Sequence, residues 1–211
     1  AITAAEISDG GTSNHGTLSL TFTSSEATTN FVKDDITVSG GVLGALSGSG
    51  TTYTATFTPS GSGATTVDVA GGAFTDAAGN NNTAATQFNW TYDGTAPALS
   101  SVSIASNNST NTQAEAGDVV TLTFTASEAI NTPVVTFQSG GAAINDTSIT
   151  YANTSGNTWT AAYTVNASDT SGAVTFSIAY SDTAGNTGTA VTSGTGSVSA
   201  SLDTTAPTIA I

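Results

Sequence analysis

The chain has 211 residues, of which 37% are hydrophobic, and contains 23 Gly, 4 Pro and no Cys, so its cores must be thin and neither a disulfide nor a cysteine nucleophile is available. Fifteen Asp or Glu stand against one basic residue, Lys33, giving a net charge of −14; this excludes a basic, phosphate-neutralising surface and opposes anionic membranes. No apolar run approaches the ~20 residues of a membrane span, and Gly with β-branched residues favours strands and turns over helices, so the expected class is all-β.

In chain order, the first regular element is "TLSLTFTSSEA" (Thr17–Ala27), where Leu18, Leu20 and Phe22 alternate with polar residues in the period of a half-buried strand. "SGGVLGALSGSG" (Ser39–Gly50) follows, then "TTYTATFTPSGS" (Thr51–Ser62), with Tyr53, Ala55 and Phe57 on one face. "GGAFTDAAGN" (Gly71–Asn80) closes on an Asp-x-Ala-Gly-Asn turn whose Gly is free to take positive φ, and Gly71-Gly72 is expected to form a bulge. "TQFNWTYD" then brings Phe88, Trp90 and Tyr92 to Asp93.

The second half repeats this order. "VVTLTFTASEA" (Val119–Ala129) matches the first strand, "NTWTAAYTVNAS" (Asn157–Ser168) the second and "SIAYSDTAGN" (Ser177–Asn186) the turn, while Val198, Ala200 and Leu202 lead to Asp203. Asp93 and Asp203 open "DGTAP" and "DTTAP" and stand 110 residues apart, the size of one modest domain. The second half alone carries the loop "ASNNSTNTQAEAGD" (Ala105–Asp118). About seven short strands per half describe two tandem immunoglobulin-like β-sandwiches without the Cys-Trp-Cys pattern. The expected limits are residues 1–93 and 94–203, with 204–211 beginning the first strand of a following domain; Ala1 follows no basic, apolar leader, and the chain reads as a segment of a longer protein.

In such a sandwich the first strand starts at the end that also carries the loop after the second strand and the loop between the last two. For the second domain this end gathers Asp93, Glu128 from "SEA" and Asp182 from "SDTAGN". Three carboxylates without a basic neighbour repel one another, and a cation resolves the repulsion. All-oxygen ligands on loops favour Ca²⁺ over the stricter Mg²⁺ and over Zn²⁺, which takes His or Cys. Pro97 fixes its own φ and extends Ala96, so the segment from Asp93 is short and stiff. The plainer alternative is that Asp93 ends a strand, Glu128 is a solvated turn residue and Asp182 forms an Asx-turn. Glu26 and Asp76 hold the matching places in the first domain, and Asp203 completes a site only with a third domain.

The "SEA" segments at Ser25–Ala27 and Ser127–Ala129, the "DAAGN" and "DTAGN" turns and the Asp-x-Thr-Ala-Pro linkers resemble the bacterial Ig-like domains that repeat in giant surface adhesins, those of the RTX type among them. The resemblance covers nearly the whole chain. It implies non-enzymatic extender modules, extracellular, at the cell surface or secreted, that space an adhesive tip from the cell, with calcium often stiffening the joins. The implied partners are neighbouring Ig-like domains of the same chain, in a monomer, with neither nucleic acid nor membrane. The alternative is a carbohydrate-binding module, for which Tyr151 is the one aromatic expected to be exposed. Phe22, Phe124, Trp90 and Trp159 read as core. Thr-x-Thr rows raise an ice-binding face, but the rows fall on only some strands. His15 reads as a loop residue, the Asp34-Asp35 pair beside Lys33 as a solvated turn, and carboxylates alone, without a pocket or a basic orienting group, do not support an enzyme.

Overall fold

A computed structural model describes residues 1–195 and 199–209. Val198, expected on the last strand, and Ala210 and Ile211, expected in the following segment, lie outside the described residues. Two compact units divide the chain: Ala1–Thr95 with Ala184–Asn186, and Ala96–Thr183 with Thr187–Ile211.

The first unit contains β1 (Ile2–Ala4), β2 (Gly11–Ser13), β3 (Leu18–Thr28), β4 (Ile36–Ser39), β5 (Gly41–Leu43), β6 (Ser47–Pro59), β7 (Gly63–Val69) and β8 (Phe88–Tyr92). One sheet runs β1-β3-β6-β5 and the other β2-β8-β7-β4. The alternation in β3 and β6 sends Leu18, Leu20, Phe22, Tyr53, Ala55 and Phe57 inward, all buried, against Val67, Phe88 and Trp90 from the facing sheet. The Trp90 indole N–H, which a dry core would orphan, donates to Ser13 Oγ at 3.1 Å. Ser13 lies on β2, which runs parallel to β8. The initial strand thus pairs first with β3 in one sheet and then with the last strand in the other.

The second unit repeats the plan with β9 (Leu99–Ser106), β10 (Gln113–Ala114), β11 (Val119–Ala126), β12 (Val134–Ser139), β13 (Ala142–Ala143), β14 (Thr150–Ser155), β15 (Thr158–Thr164), β16 (Gly172–Ala179) and β17 (Ser201–Leu202). Its sheets run β9-β11-β15-β14 and β10-β17-β16-β12-β13, and β10 pairs parallel with β17. Val120, Leu122 and Phe124 are fully buried, and Tyr163 packs on Phe137 with ring centroids 4.8 Å apart. Two facing antiparallel sheets, with the first strand switching to lie parallel to the last, make each unit an immunoglobulin-like sandwich.

Several local expectations change. Gly71-Gly72 is no bulge: β7 ends at Val69, and the chain turns away with Gly72 at φ +78°. The Asp-x-Ala-Gly-Asn turns do use positive φ, +90° at Gly79 and +103° at Gly185. Tyr151 is half-buried rather than exposed; its ring packs against the core, and its hydroxyl accepts from the Val135 amide at 3.0 Å and donates to the Val135 carbonyl at 3.4 Å. Trp159 is half-buried against the same core rather than fully inside it. The threonine rows fall on adjacent strands in register, Thr3 opposite Thr21, Thr21 opposite Thr54 and Thr123 opposite Thr160. Such pairs stabilise the sheet itself, as the hydroxyls of Thr125 and Thr158 show by bonding each other at 3.1 Å.

Candidate metal centre

In the second unit three segments converge. β11 runs to Ala126, and the chain then turns at Ser127, whose Oγ accepts from the Ala98 amide at 3.0 Å and whose amide donates to the Ala98 carbonyl at 2.8 Å. The first strand therefore starts beside the turn that carries Glu128. On the other side of the same end, Ile130 bridges Asp182, the Asn131 amide donates to the Ser181 carbonyl at 2.9 Å, and Asn131 Nδ2 donates to the Asp182 carbonyl at 2.6 Å. These bonds fix the two loops edge to edge. Glu128 is half-buried, Asp182 is 1% exposed, and each offers a carboxylate oxygen within 4.8 Å of the other. Residues 96–211 contain neither Lys nor Arg.

In the first unit, Asp93 follows the last residue of β8 and is half-buried. Its amide donates to the Ser13 carbonyl at 3.0 Å, its carbonyl accepts from Asn186 Nδ2 at 2.8 Å, and its Oδ1 accepts from the Thr95 amide at 3.0 Å. Ser62 Oγ adds a bond from the Gly94 amide at 3.0 Å. The segment is thus shaped by an Asx-turn and one serine. Asp203 repeats the arrangement: it is exposed, its Oδ1 accepts from the Thr205 amide at 2.9 Å, and Ser171 Oγ accepts from the Thr204 amide at 3.1 Å.

Glu26 is exposed near the end of β3. Asp76 turns into its own loop, Oδ1 accepting from the amides of Ala78 and Asn80 at 2.8 and 2.9 Å and Oδ2 from Asn80 Nδ2 at 2.7 Å. The Asn80 side-chain bond is the main reason that its carboxyl is held below the ordinary value. Glu26, Asp76 and Asp203 join no cluster of three ligating side chains among the described residues. His15 and Lys33 are exposed, and Asp35 Oδ2 accepts from the Val32 amide at 2.8 Å, closing a 3-10 turn over Lys33–Asp35.

One buried acid was missed by the sequence reading. Asp169 is 3% exposed, its Oδ1 accepting from the amide and the Nδ2 of Asn145 at 2.7 and 2.9 Å and its Oδ2 from the Asn166 amide at 2.9 Å. Burial, helped by the Asp169 charge, pushes the Tyr163 hydroxyl up to about 12. "NASD" signals a turn in the sequence; the donors from Asn145, 24 positions away, leave no local trace.

The topology defines immunoglobulin-like sandwiches. Residues 2–92 match the family model described as a bacterial Ig-like domain, and the first unit is a bacterial Ig-like domain. No curated protein matches the sequence. Among solved structures, the chain is similar to InvD of Yersinia pseudotuberculosis, at 20% identity over 99% of this chain and 60% of that one, TM-score 0.38. It therefore spans about 60% of that structure's length. It is also similar to the I9–I11 tandem of titin, at 13% identity over 95% of this chain and 65% of that one, TM-score 0.31. Tandem Ig repeats of Dlar follow at 11% identity over 96% and 97%, TM-score 0.26. The strand order, not these likenesses, defines the fold.

Proposed function

We propose that the chain is a pair of non-enzymatic extender modules from the extracellular repeat array of a bacterial surface adhesin, with Ca²⁺ held at the joint by Asp93, Glu128 and Asp182. The observation that carries the proposal is the buried Asp182 carboxylate beside Glu128 in a unit whose sequence lacks any Lys or Arg. Ca²⁺ accepts such flexible oxygen ligands and completes its shell with backbone carbonyls and water. The covalent path supports Asp93 as the third ligand: it lies five residues before Ala98, which is hydrogen-bonded to the residue preceding Glu128. Pro97 limits the freedom of that path, and an ion binding both sides removes what freedom is left. The carbohydrate alternative loses its only expected exposed aromatic, since Tyr151 packs inward.

Calorimetric titration with Ca²⁺ and with Mg²⁺ tests the site. The expected result is a saturable Ca²⁺ site, weaker for Mg²⁺, that Asp93→Asn abolishes. Calcium binding unchanged in that variant removes Asp93 from the site and with it the role at the joint.

A further inference from the structure

In the second unit the direction of the β12 backbone follows from its neighbour. Val135 stands opposite Ile178 of β16, and Ile178 bonds away from it, its amide donating to the Val191 carbonyl at 2.9 Å and its carbonyl accepting from the Val191 amide at 3.2 Å. Val135 and Ile178 therefore form a non-hydrogen-bonded antiparallel pair, and the Val135 N–H and C=O point outward from the sheet. The short β13 pairs only with the far end of β12, at Gln138 and Ser139. Among the described residues no strand pairs with the outward side of Val134–Phe137.

This edge has the composition that recruits further strands. Val-Val-Thr-Phe is apolar and β-branched, Val134 is 62% exposed, and residues 129–145 contain no Asp, Glu, Lys or Arg. The corresponding edge strand of the first unit, β4, follows the charged Lys33-Asp34-Asp35, of which Lys33 and Asp34 are exposed, and charge at an edge discourages pairing. The second unit uses one side chain instead. Tyr151 lies on β14, the edge of the other sheet, and its ring packs against the core. Its hydroxyl crosses to β12, accepting from the Val135 amide at 3.0 Å and donating to the Val135 carbonyl at 3.4 Å. A hydroxyl can do both, and these are the two bonds that a paired strand makes with one residue.

We propose that Tyr151 is an edge cap, and that it keeps the chain from pairing through β12 with the β12 of a second copy. Two antiparallel copies of Val134–Phe137 satisfy each other's outward groups about a two-fold axis. With a net charge of −14 the copies repel, and a neutral segment is where they approach at least cost. The Tyr151 hydroxyl already occupies the bonding positions at the centre of that surface.

Hydrogen exchange of the whole ¹⁵N-labelled chain tests the cap. Tyr151→Phe keeps the ring and removes the hydroxyl. The expected result is a Val135 amide that exchanges about tenfold faster, with the Ile178 amide unchanged. Equal acceleration of both reports a loss of stability alone, and an unchanged Val135 amide reports a hydroxyl that caps nothing; either result overturns the proposal. Sedimentation equilibrium at about 1 mM chain tests the pairing with Tyr151→Leu, which fills the core but is too short to reach Val135. This variant is expected to dimerise where the parent stays monomeric, and adding Thr136→Lys, which brings like charges together across the paired strands, restores the monomer. A monomeric Tyr151→Leu, or a dimer that survives Thr136→Lys, overturns the role in association.

Discussion

Glu128→Gln turns the proposed ion site into a sign test. Glu128 and Asp182 offer carboxylate oxygens within 4.8 Å of each other, so two full charges repel by about 3.5 kcal/mol at an effective dielectric of about 20. Glu128 is half-buried, and solvent screening leaves about 1–2 kcal/mol of this in the metal-free protein. The amide keeps the shape and removes the charge, so in EDTA the variant melts higher than the parent, by roughly 4–8 °C for a unit of this size. Calcium acts in the opposite direction. If the proposed site binds with the Kd of about 0.1 mM common for extracellular calcium sites, calcium at ~10 mM is about 100 times Kd and would stabilise the parent by ~2.7 kcal/mol. The variant, short of one charged ligand, gains less than about 1 kcal/mol, a hundredfold-weaker site giving only RT ln 2. Differential scanning calorimetry of both proteins in the two media reads the outcome. The variant leads in EDTA and loses that lead in calcium. A variant that melts below the parent in EDTA, or that responds to calcium as the parent does, refutes the reasoning.

Other consequences follow from individual contacts. Ser13→Ala orphans the buried Trp90 N–H, bonded at 3.1 Å, and should cost about 1–3 kcal/mol in urea unfolding followed by Trp fluorescence; an unchanged midpoint would show that the bond is idle. The Asp76 carboxyl is held low by Asn80, so its stabilisation is present above the unfolded value of about 3.9 and disappears as pH falls through the folded one. Asp76→Asn should flatten the acid limb of the stability curve below about pH 4, and a parallel limb would contradict the linkage. Tyr163, pushed up to about 12, contributes stability that is complete below its unfolded pKa of about 10 and is lost as pH rises from there toward about 12. Absorbance titration should show one tyrosine ionising last and together with unfolding, a phase that Tyr163→Phe removes.

The fold was legible where a period of two runs long enough to bury one face. Leu18, Leu20 and Phe22, and Val120, Leu122 and Phe124, announced β3 and β11, and all six are buried. The parallel pairs were not legible: β2 and β10 have three and two residues, too few for alternation, and their pairing is decided by strands some 80 residues away in sequence, as Gly11 opposite Trp90 shows. Tyr151 was misread because its half of β14 alternates weakly; a hydroxyl bonded to Val135 and a ring against the core decide its position. Of the candidate site, the internal repeat identified Glu128 and Asp182, and the fold brings them together within one unit. Asp76 satisfies its carboxylate inside its own turn, a choice that "DAAGN" and "DTAGN" do not distinguish. Asp169 escaped notice because the two donors of the distant Asn145, with one local amide and no charge, sustain its burial.

The central claim is that calcium stiffens the joint between the modules. Small-angle X-ray scattering of the whole chain in EDTA and in calcium measures this most directly, through the maximum dimension and the spread of conformations required to fit the curve. The account predicts a broad, on average shorter ensemble in EDTA and a single elongated particle in calcium, with Asp93→Asn remaining broad in both. Identical curves for the parent chain in the two media would contradict it.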